Sequence, residues 1–254
     1  MLKGLTKQDW LKMLSLTEED IPHTLVLRGT RNLTEKFENH KKYFTNVRDV
    51  VFPNGIFENI FIGELNGHQV AFATVYGAPM ASEIVHLFGV LGTSLVIHTG
   101  CCGGLDKNLR TGDIFIATEA YIGEGASQHY QANKKLVSGS FEDTFGFENI
   151  KTGRIYTTSA LLAESKEDIE AWGKLGCLTV DMETSAVFTT AEYFNMERTS
   201  ILFVFDNPSN EDHLFVENGD KTRLYTNGQN RILEITWHLT EKHNKSKSSP
   251  TGIK

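Results

Sequence analysis

Leu178-Thr179-Val180-Asp181-Met182-Glu183-Thr184-Ser185-Ala186 decides how the rest of the chain is read. A short apolar strand ends at Val180, two carboxylates flank Met182, and small residues then carry a helix through Ala191. In an open α/β sheet, ligands sit where the carboxyl end of a strand feeds a helix. A carboxylate in that place accepts hydrogen bonds from both hydroxyls of a sugar diol. The other reading of the same acids is a helix N-terminus decorated with carboxylates, which the macrodipole favours.

Working outward, apolar runs alternate with helical periodicity. Strands are expected at His23–Arg28, Asn59–Glu64, Gln69–Val75, Ser94–His98, Asp113–Glu119, Arg154–Thr158 and Ser200–Phe205. Helices are expected at about 32–43, Met80–Leu91, Lys166–Leu175 and Thr222–Glu241, with a short one before Pro22. Asn66-Gly67 between two alternating runs is a hairpin signal, so at least one strand pair is antiparallel. Thr99-Gly100-Cys101-Cys102-Gly103-Gly104-Leu105 reads as a glycine loop whose backbone N–H groups turn toward a ligand, or as a plain tight turn. Gly123–Phe147 reads as a long irregular loop, and long loops in compact domains are often functional. The pattern predicts a single α/β domain with a mixed or mostly parallel sheet. The domain covers 1–241, and the lysine- and serine-rich 242–254 are expected to be a disordered polar tail.

Composition removes several classes of function. The chain has 254 residues, 40% of them apolar, and a net charge of −7, which disfavours nucleic acid as a partner. No stretch approaches the roughly 20 apolar residues of a membrane span. The start, Met1–Trp10, is polar and lacks the apolar core of a signal peptide. Three cysteines do not make a disulfide framework, and adjacent Cys101 and Cys102 lack metal-site spacing. A cytoplasmic protein without metal or cofactor is expected.

These motifs together resemble the nucleoside phosphorylase/nucleosidase superfamily, which includes uridine phosphorylase, hexameric purine nucleoside phosphorylase and methylthioadenosine nucleosidase. The resemblance runs from about Gly4 to Glu241. It rests on Gly4-Leu5-Thr6-Lys7, Thr45-Asn46-Val47-Arg48, the glycine stretch with Thr111-Gly112-Asp113-Ile114, and Val180-Asp181-Met182-Glu183, where the family has Glu-Met-Glu. It implies cleavage of an N-ribosidic bond, with a small-molecule nucleoside and phosphate or water as substrates. It also implies a single three-layer α/β domain whose twisted mixed central sheet is partly barrel-like and flanked by helices, and a homodimer or dimer-built hexamer with sites at the interface, Arg48 being given across it. Catalysis would fall to Asp206, Glu183 and His98. Sugar and base would meet Met182, Glu183, Asp181, His129, Tyr130, Leu162 (beside Leu161), Cys102 and Gly103. Phosphate would meet Gly29, Arg48, His98 and Cys101. Asp206 tilts the base toward purine, because the family keeps an aspartate there to protonate N7.

The phosphate site departs from the family pattern. Gly29-Thr30-Arg31-Asn32-Leu33 stands where phosphorylases have Gly-Asp-Pro-x-x-Arg, and His98 stands where they have a second arginine. The glutamate with which the nucleosidase activates water is absent as well. Arg31 or Arg28 is out of register to replace the lost guanidinium. Phosphorolysis, yielding ribose 1-phosphate, is the favoured expectation. Hydrolysis on the same fold, and a non-enzymatic storage or binding role, remain open at this point. If His98 binds phosphate, it is expected to do so when protonated, near its ordinary pKa of about 6.5.

Overall fold

A computed structural model describes residues 2–248 except 53, 54, 56, 142, 143 and 211–219. Ten strands form one sheet: β1 (Thr24–Gly29), β2 (Thr45–Asp49), β3 (Ile60–Leu65), β4 (His68–Val75), β5 (Leu95–Gly104), β6 (Ile114–Ile122), β7 (Leu136–Ser138), β8 (Ile150–Thr157), β9 (Cys177–Asp181) and β10 (Glu197–Asp206). The helices are α1 (Lys7–Leu14), α2 (Leu33–Lys41), α3 (Ala78–Leu91), α4 (Lys166–Lys174), α5 (Thr184–Tyr193) and α6 (Lys221–Ser248).

Strand order is β10-β6-β8-β9-β5-β1-β4-β3-β2, and β10 also pairs with β5. The second pairing closes β5, β10, β6, β8 and β9 into a ring, with β1, β4, β3 and β2 continuing as an open wing. Closure is completed by Gly103 and Gly104 of β5, which pair antiparallel with Val180 and Thr179. A Cβ on Gly104 would lie 2.7 Å from the Asn207 side chain, so no larger residue fits there without moving the β10 end. Both sheet faces are covered. Trp10, Leu11, Ile84, Phe88, Val187 and Phe188 of α1, α3 and α5 pack on one, while Phe37 of α2 and Ile232, Ile235 and Leu239 of α6 pack on the other.

The hairpin forms as expected: β3 pairs with β4 across Asn66-Gly67, both in the left-handed region. Two expectations fail. The glycine stretch is not a loop, because β5 runs straight through it to Gly104. Small side chains there serve strand-to-strand approach, and the hydrophobic run that marked the strand simply stops before the strand does. The supposed tail from 242 continues α6 to Ser248, with His243 and Asn244 buried, while 249–254 lie outside the described residues. Asn244 accepts a hydrogen bond from Thr24 Oγ1 at 2.9 Å, and His243 lies 3.1 Å from Glu197 and 3.0 Å from Ser94 Oγ. Polar composition hid these contacts, since the partners come from β1 and β10.

Deleting residues 242–254 should therefore destabilise the fold by about 1–3 kcal/mol, from hydrogen bonds worth roughly 0.5–1.5 kcal/mol each plus lost burial. Thermal denaturation would show a Tm lower by several degrees; an unchanged Tm would restore the picture of an idle tail.

Candidate active site

β9 delivers Asp181 and Glu183 to the ends of β1 and β5. Their roles differ. Asp181 is buried, and both its oxygens are taken: Oδ1 accepts from Thr157 Oγ1 at 2.9 Å, and Oδ2 from the Thr184 N–H at 2.9 Å and Thr184 Oγ1 at 2.5 Å. It caps α5 from within, which removes it from the expected sugar contacts. Glu183 Oε1 accepts from the Gly77 N–H at 2.7 Å, and Oε2 lies 4.0 Å from His98 Nε2. Gly29 roofs this pair, since a Cβ there would lie 2.9 Å from His98 Nε2 and 3.3 Å from Glu183 Oε2.

His98 Nδ1 contacts Ser200 Oγ at 2.8 Å and Thr184 Oγ1 at 3.2 Å, whereas its buried Nε2 has no hydrogen-bond partner. Burial pushes its pKa down to about 3, and the Arg28 charge adds to the effect. Burial thus disfavours the imidazolium near pH 7, which speaks against the expected role of His98 as a protonated phosphate ligand. Burial raises the carboxyl pKa of Asp181, and that of Glu183 is raised by burial and then by Asp181. His98, Asp181 and Glu183 are close enough to hold a metal ion. With both Asp181 oxygens occupied, however, only His98 Nε2 and Glu183 Oε2 are left to offer, too few for a resident cation.

Cys101 lies amid the other charged groups. Solvent reaches this residue, yet protein crowding its sulfur pushes the thiol up to about 11, with Arg28 opposing and Glu183, Asp206 and Asp181 adding. Cys102 points into the core and donates to the Phe203 carbonyl, so it meets no substrate through its thiol. Asp206 is the last residue of β10, in register with Gly103, whose Cβ position would be 3.4 Å from Asp206 Oδ1. Phe205 stacks on Tyr225 at 4.4 Å. The turn beyond belongs to Asn207, which donates to the carbonyls of Asp106 and Leu109 and accepts from the Ser209 N–H.

Four further expected residues are placed as follows. Tyr130 hydroxyl meets His86 Nδ1 at 3.1 Å and its ring packs on His86 and Tyr193, a structural cluster against α3 and α5. His129 is exposed and lines a cavity of about 420 Å³ with Glu83, Glu124 and Ser159. Leu162 is 86% exposed, with Leu161 beside it also exposed. Arg48 is paired with Asp20 at 2.8 Å on the exposed edge strand β2.

Two residues outside the expected set stand out. Arg28 is 4% exposed, and neither Nε nor Nη1 has a hydrogen-bond partner. No carboxylate among the described residues lies within ion-pair distance of it, and burial pushes its pKa down. Thr99, in register with Arg28 on the neighbouring strand, has a buried Oγ1 that is also unpartnered. An arginine closing an otherwise apolar strand was the sequence signal. Glu164, just before α4, has a buried, unpartnered Oε1, and burial with the nearby Asp206 charge pushes its pKa up to about 7. Nothing in its local sequence marks it.

Glu183, just past the end of β9, and Asp206, the last residue of β10, are thus carboxylates at strand ends of the same five-strand ring. Residues 35–235 match the sequence model of the phosphorylase superfamily, and the chain belongs to that superfamily. It is 27% identical over 221 residues to a DeoD-type purine nucleoside phosphorylase of Thermoanaerobacter sp. strain X514, covering 81% of this chain and 91% of that one. It is 30% identical over 146 residues to a guanosine phosphorylase of Halorubrum lacusprofundi, covering 53% and 59%. The fold matches uridine phosphorylase from Vibrio fischeri ES114 with a TM-score of 0.72 at 19% identity, covering 94% of this chain and 99% of that one.

The depressed His98 pKa has a measurable sign. The unfolded chain binds a proton below about pH 6.5 that the folded site refuses, so this residue lowers stability as pH falls from there toward 3. His40, pushed down to about 4 by burial, acts in the same direction. NMR should find no His98 titration between about pH 5 and 8, the range of an ordinary histidine. Removing His98 in H98N should make the acid-side loss of Tm shallower. A His98 midpoint near 6.5 would contradict the burial.

Proposed function

We propose that this chain cleaves the N-ribosidic bond of a purine nucleoside with phosphate, giving free base and ribose 1-phosphate. The observation that carries the reading is Arg28, a buried guanidinium with two unpartnered donors beside the unpartnered Thr99 hydroxyl. A buried unpaired charge costs several kcal/mol, and an anion offsets that cost. Phosphate suits the planar fork of a guanidinium. Arg28 would take over the charge that the family arginines no longer supply, with Gly29 and Cys101 at the same strand ends. The DeoD-type and guanosine phosphorylase relatives support the same reading.

In the reaction, positive charge builds on the ribose and negative charge on the base. Glu183, held by Gly77, would bind the sugar hydroxyls through Oε2, and Met182 would pack beneath the ring. Asp206 would protonate or hydrogen-bond the departing purine at N7, which stabilises the leaving group in the transition state. The substrates are a small-molecule nucleoside and phosphate, with no cofactor in the chemistry. Assembly as a homodimer or dimer-built hexamer would let exposed β2 carry Arg48 to a neighbour's site. The exposed Tyr43, Val47 and Val51 support an interface on that edge. Three unpaired cysteines suit a cytoplasmic location.

Replacing Arg28 tests the phosphate reading directly. R28M should raise the phosphate KM by about 10- to 100-fold, the equivalent of one charged hydrogen bond at roughly 1.5–3 kcal/mol. Phosphate should raise the Tm of the wild type and not of R28M. Equal phosphate response in both proteins would leave the guanidinium without this role.

E183Q should lower kcat/KM by about 10²-fold or more, the scale of a lost charged transition-state contact, without loss of folding. D206N should lose far more activity on a purine nucleoside than on a nitrophenyl riboside, whose leaving group needs little acid assistance. Equal losses would make Asp206 structural and withdraw the purine assignment.

A further inference from the structure

The unpartnered nitrogen of His98 raises a question that phosphate binding does not answer. Nε2 is fully buried, unpartnered and aimed past Gly29 toward Glu183 Oε2. Behind the ring, three close contacts run in line: His98 Nδ1 to Ser200 Oγ at 2.8 Å, Ser200 Oγ to Thr184 Oγ1 at 2.9 Å, and Thr184 Oγ1 to Asp181 Oδ2 at 2.5 Å. Each needs one proton, but the two hydroxyls supply only two. The third comes from one end of the chain or the other. Either Nδ1 is protonated and Asp181 ionised, leaving a lone pair on Nε2, or Asp181 is protonated, Nδ1 accepts, and Nε2 carries the hydrogen. The two states differ by one proton, taken up at Nε2 and stored on Asp181, with the imidazole neutral in both.

We infer that His98 is the base that deprotonates an attacking water, and that Ser200 and Thr184 relay the proton to Asp181, giving this site a second, hydrolytic activity. The inference rests on the proposed ribose site and not on phosphate binding. The water oxygen bonds to C1′ of the ribose while the N-ribosidic bond breaks, and the base leaves with the bonding pair and takes a proton from Asp206. The water proton passes to Nε2, the Nδ1 proton to Ser200, the Ser200 proton to Thr184, and the Thr184 proton to Asp181. The products are free ribose and the base. Burial favours this route over direct imidazolium formation, because it disfavours a cation on His98 and favours the protonated form of Asp181. His98 is the catalytic residue here; Ser200 and Thr184 are positioning residues.

The test separates the two activities. Wild-type protein is given a purine nucleoside in phosphate-free buffer and assayed for free ribose, then with phosphate and assayed for ribose 1-phosphate. Free ribose should form without phosphate. T184V, which removes the hydroxyl and keeps the shape, should lower hydrolysis at least tenfold more than phosphorolysis, and T184S should restore the ratio. The ¹⁵N shifts of His98 at about pH 8, above its ordinary range, should report a proton on Nδ1 and not on Nε2. Ribose 1-phosphate without any free ribose overturns the inference and leaves phosphorolysis standing; free ribose without ribose 1-phosphate does the reverse. A folded T184V that loses both activities in proportion, or a proton found on Nε2, also overturns it.

Discussion

Everything at this site depends on one close approach of backbones. The ring closes only because Gly103 and Gly104 let β5 lie against Val180 and Thr179. From that pairing follow the position of Asp181 one residue on, the start of α5 at Thr184, and the arrival of Glu183 beneath Gly29. Asp181 then fixes the corner, since its three accepted hydrogen bonds tie β8, β9 and α5 together. A carboxylate that satisfied by the protein is a structural post with one chemical option left, which is to change its protonation state.

The electrostatics follow from excluding water at the junction. Glu183 and Asp181 resist ionising together, His98 resists protonation, and Arg28 has no carboxylate within ion-pair distance among the described residues. Register places Leu27 beside His98 and Arg28 beside Thr99, so Arg28 and His98 leave opposite faces of the sheet. They bracket the strand ends from two sides. An anion near Cys101 would meet Arg28, while a sugar over Met182 would meet Glu183.

Much of this was legible in the sequence, for identifiable reasons. Val180 to Ala186 was read correctly as a strand giving way to a helix, because apolar periodicity and side-chain size both change there. Asn66-Gly67 was read correctly because a two-residue turn of that composition has few other uses. Asp181 was misassigned, since a carboxylate that caps a helix from inside and one that binds a ligand look alike until hydrogen-bond partners are known. The continuation of β5 through the glycines was missed because strand periodicity is carried by side chains and glycine has none. Tyr130 was placed over the base by analogy, but contacts with His86 and Tyr193, far apart in the chain, hold it away. Glu164 could not be found, because its burial comes from tertiary packing alone.

Exchanging an arginine for histidine at position 98 looks like a simple loss when the family pattern is the guide. A guanidinium buried against Asp181 and Glu183 would be held by both carboxylates and would keep them ionised. A neutral imidazole leaves them to raise one another's pKa, and it turns a pure donor into a group that accepts on one nitrogen while donating on the other. The cation has not vanished from the strand ends, since Arg28 supplies one from β1. In the proposed reaction the exchange would separate two tasks that one arginine would combine, holding an anion and setting the charge on Asp181 and Glu183, and would free His98 to handle a proton in the hydrogen-bonded line ending on Asp181.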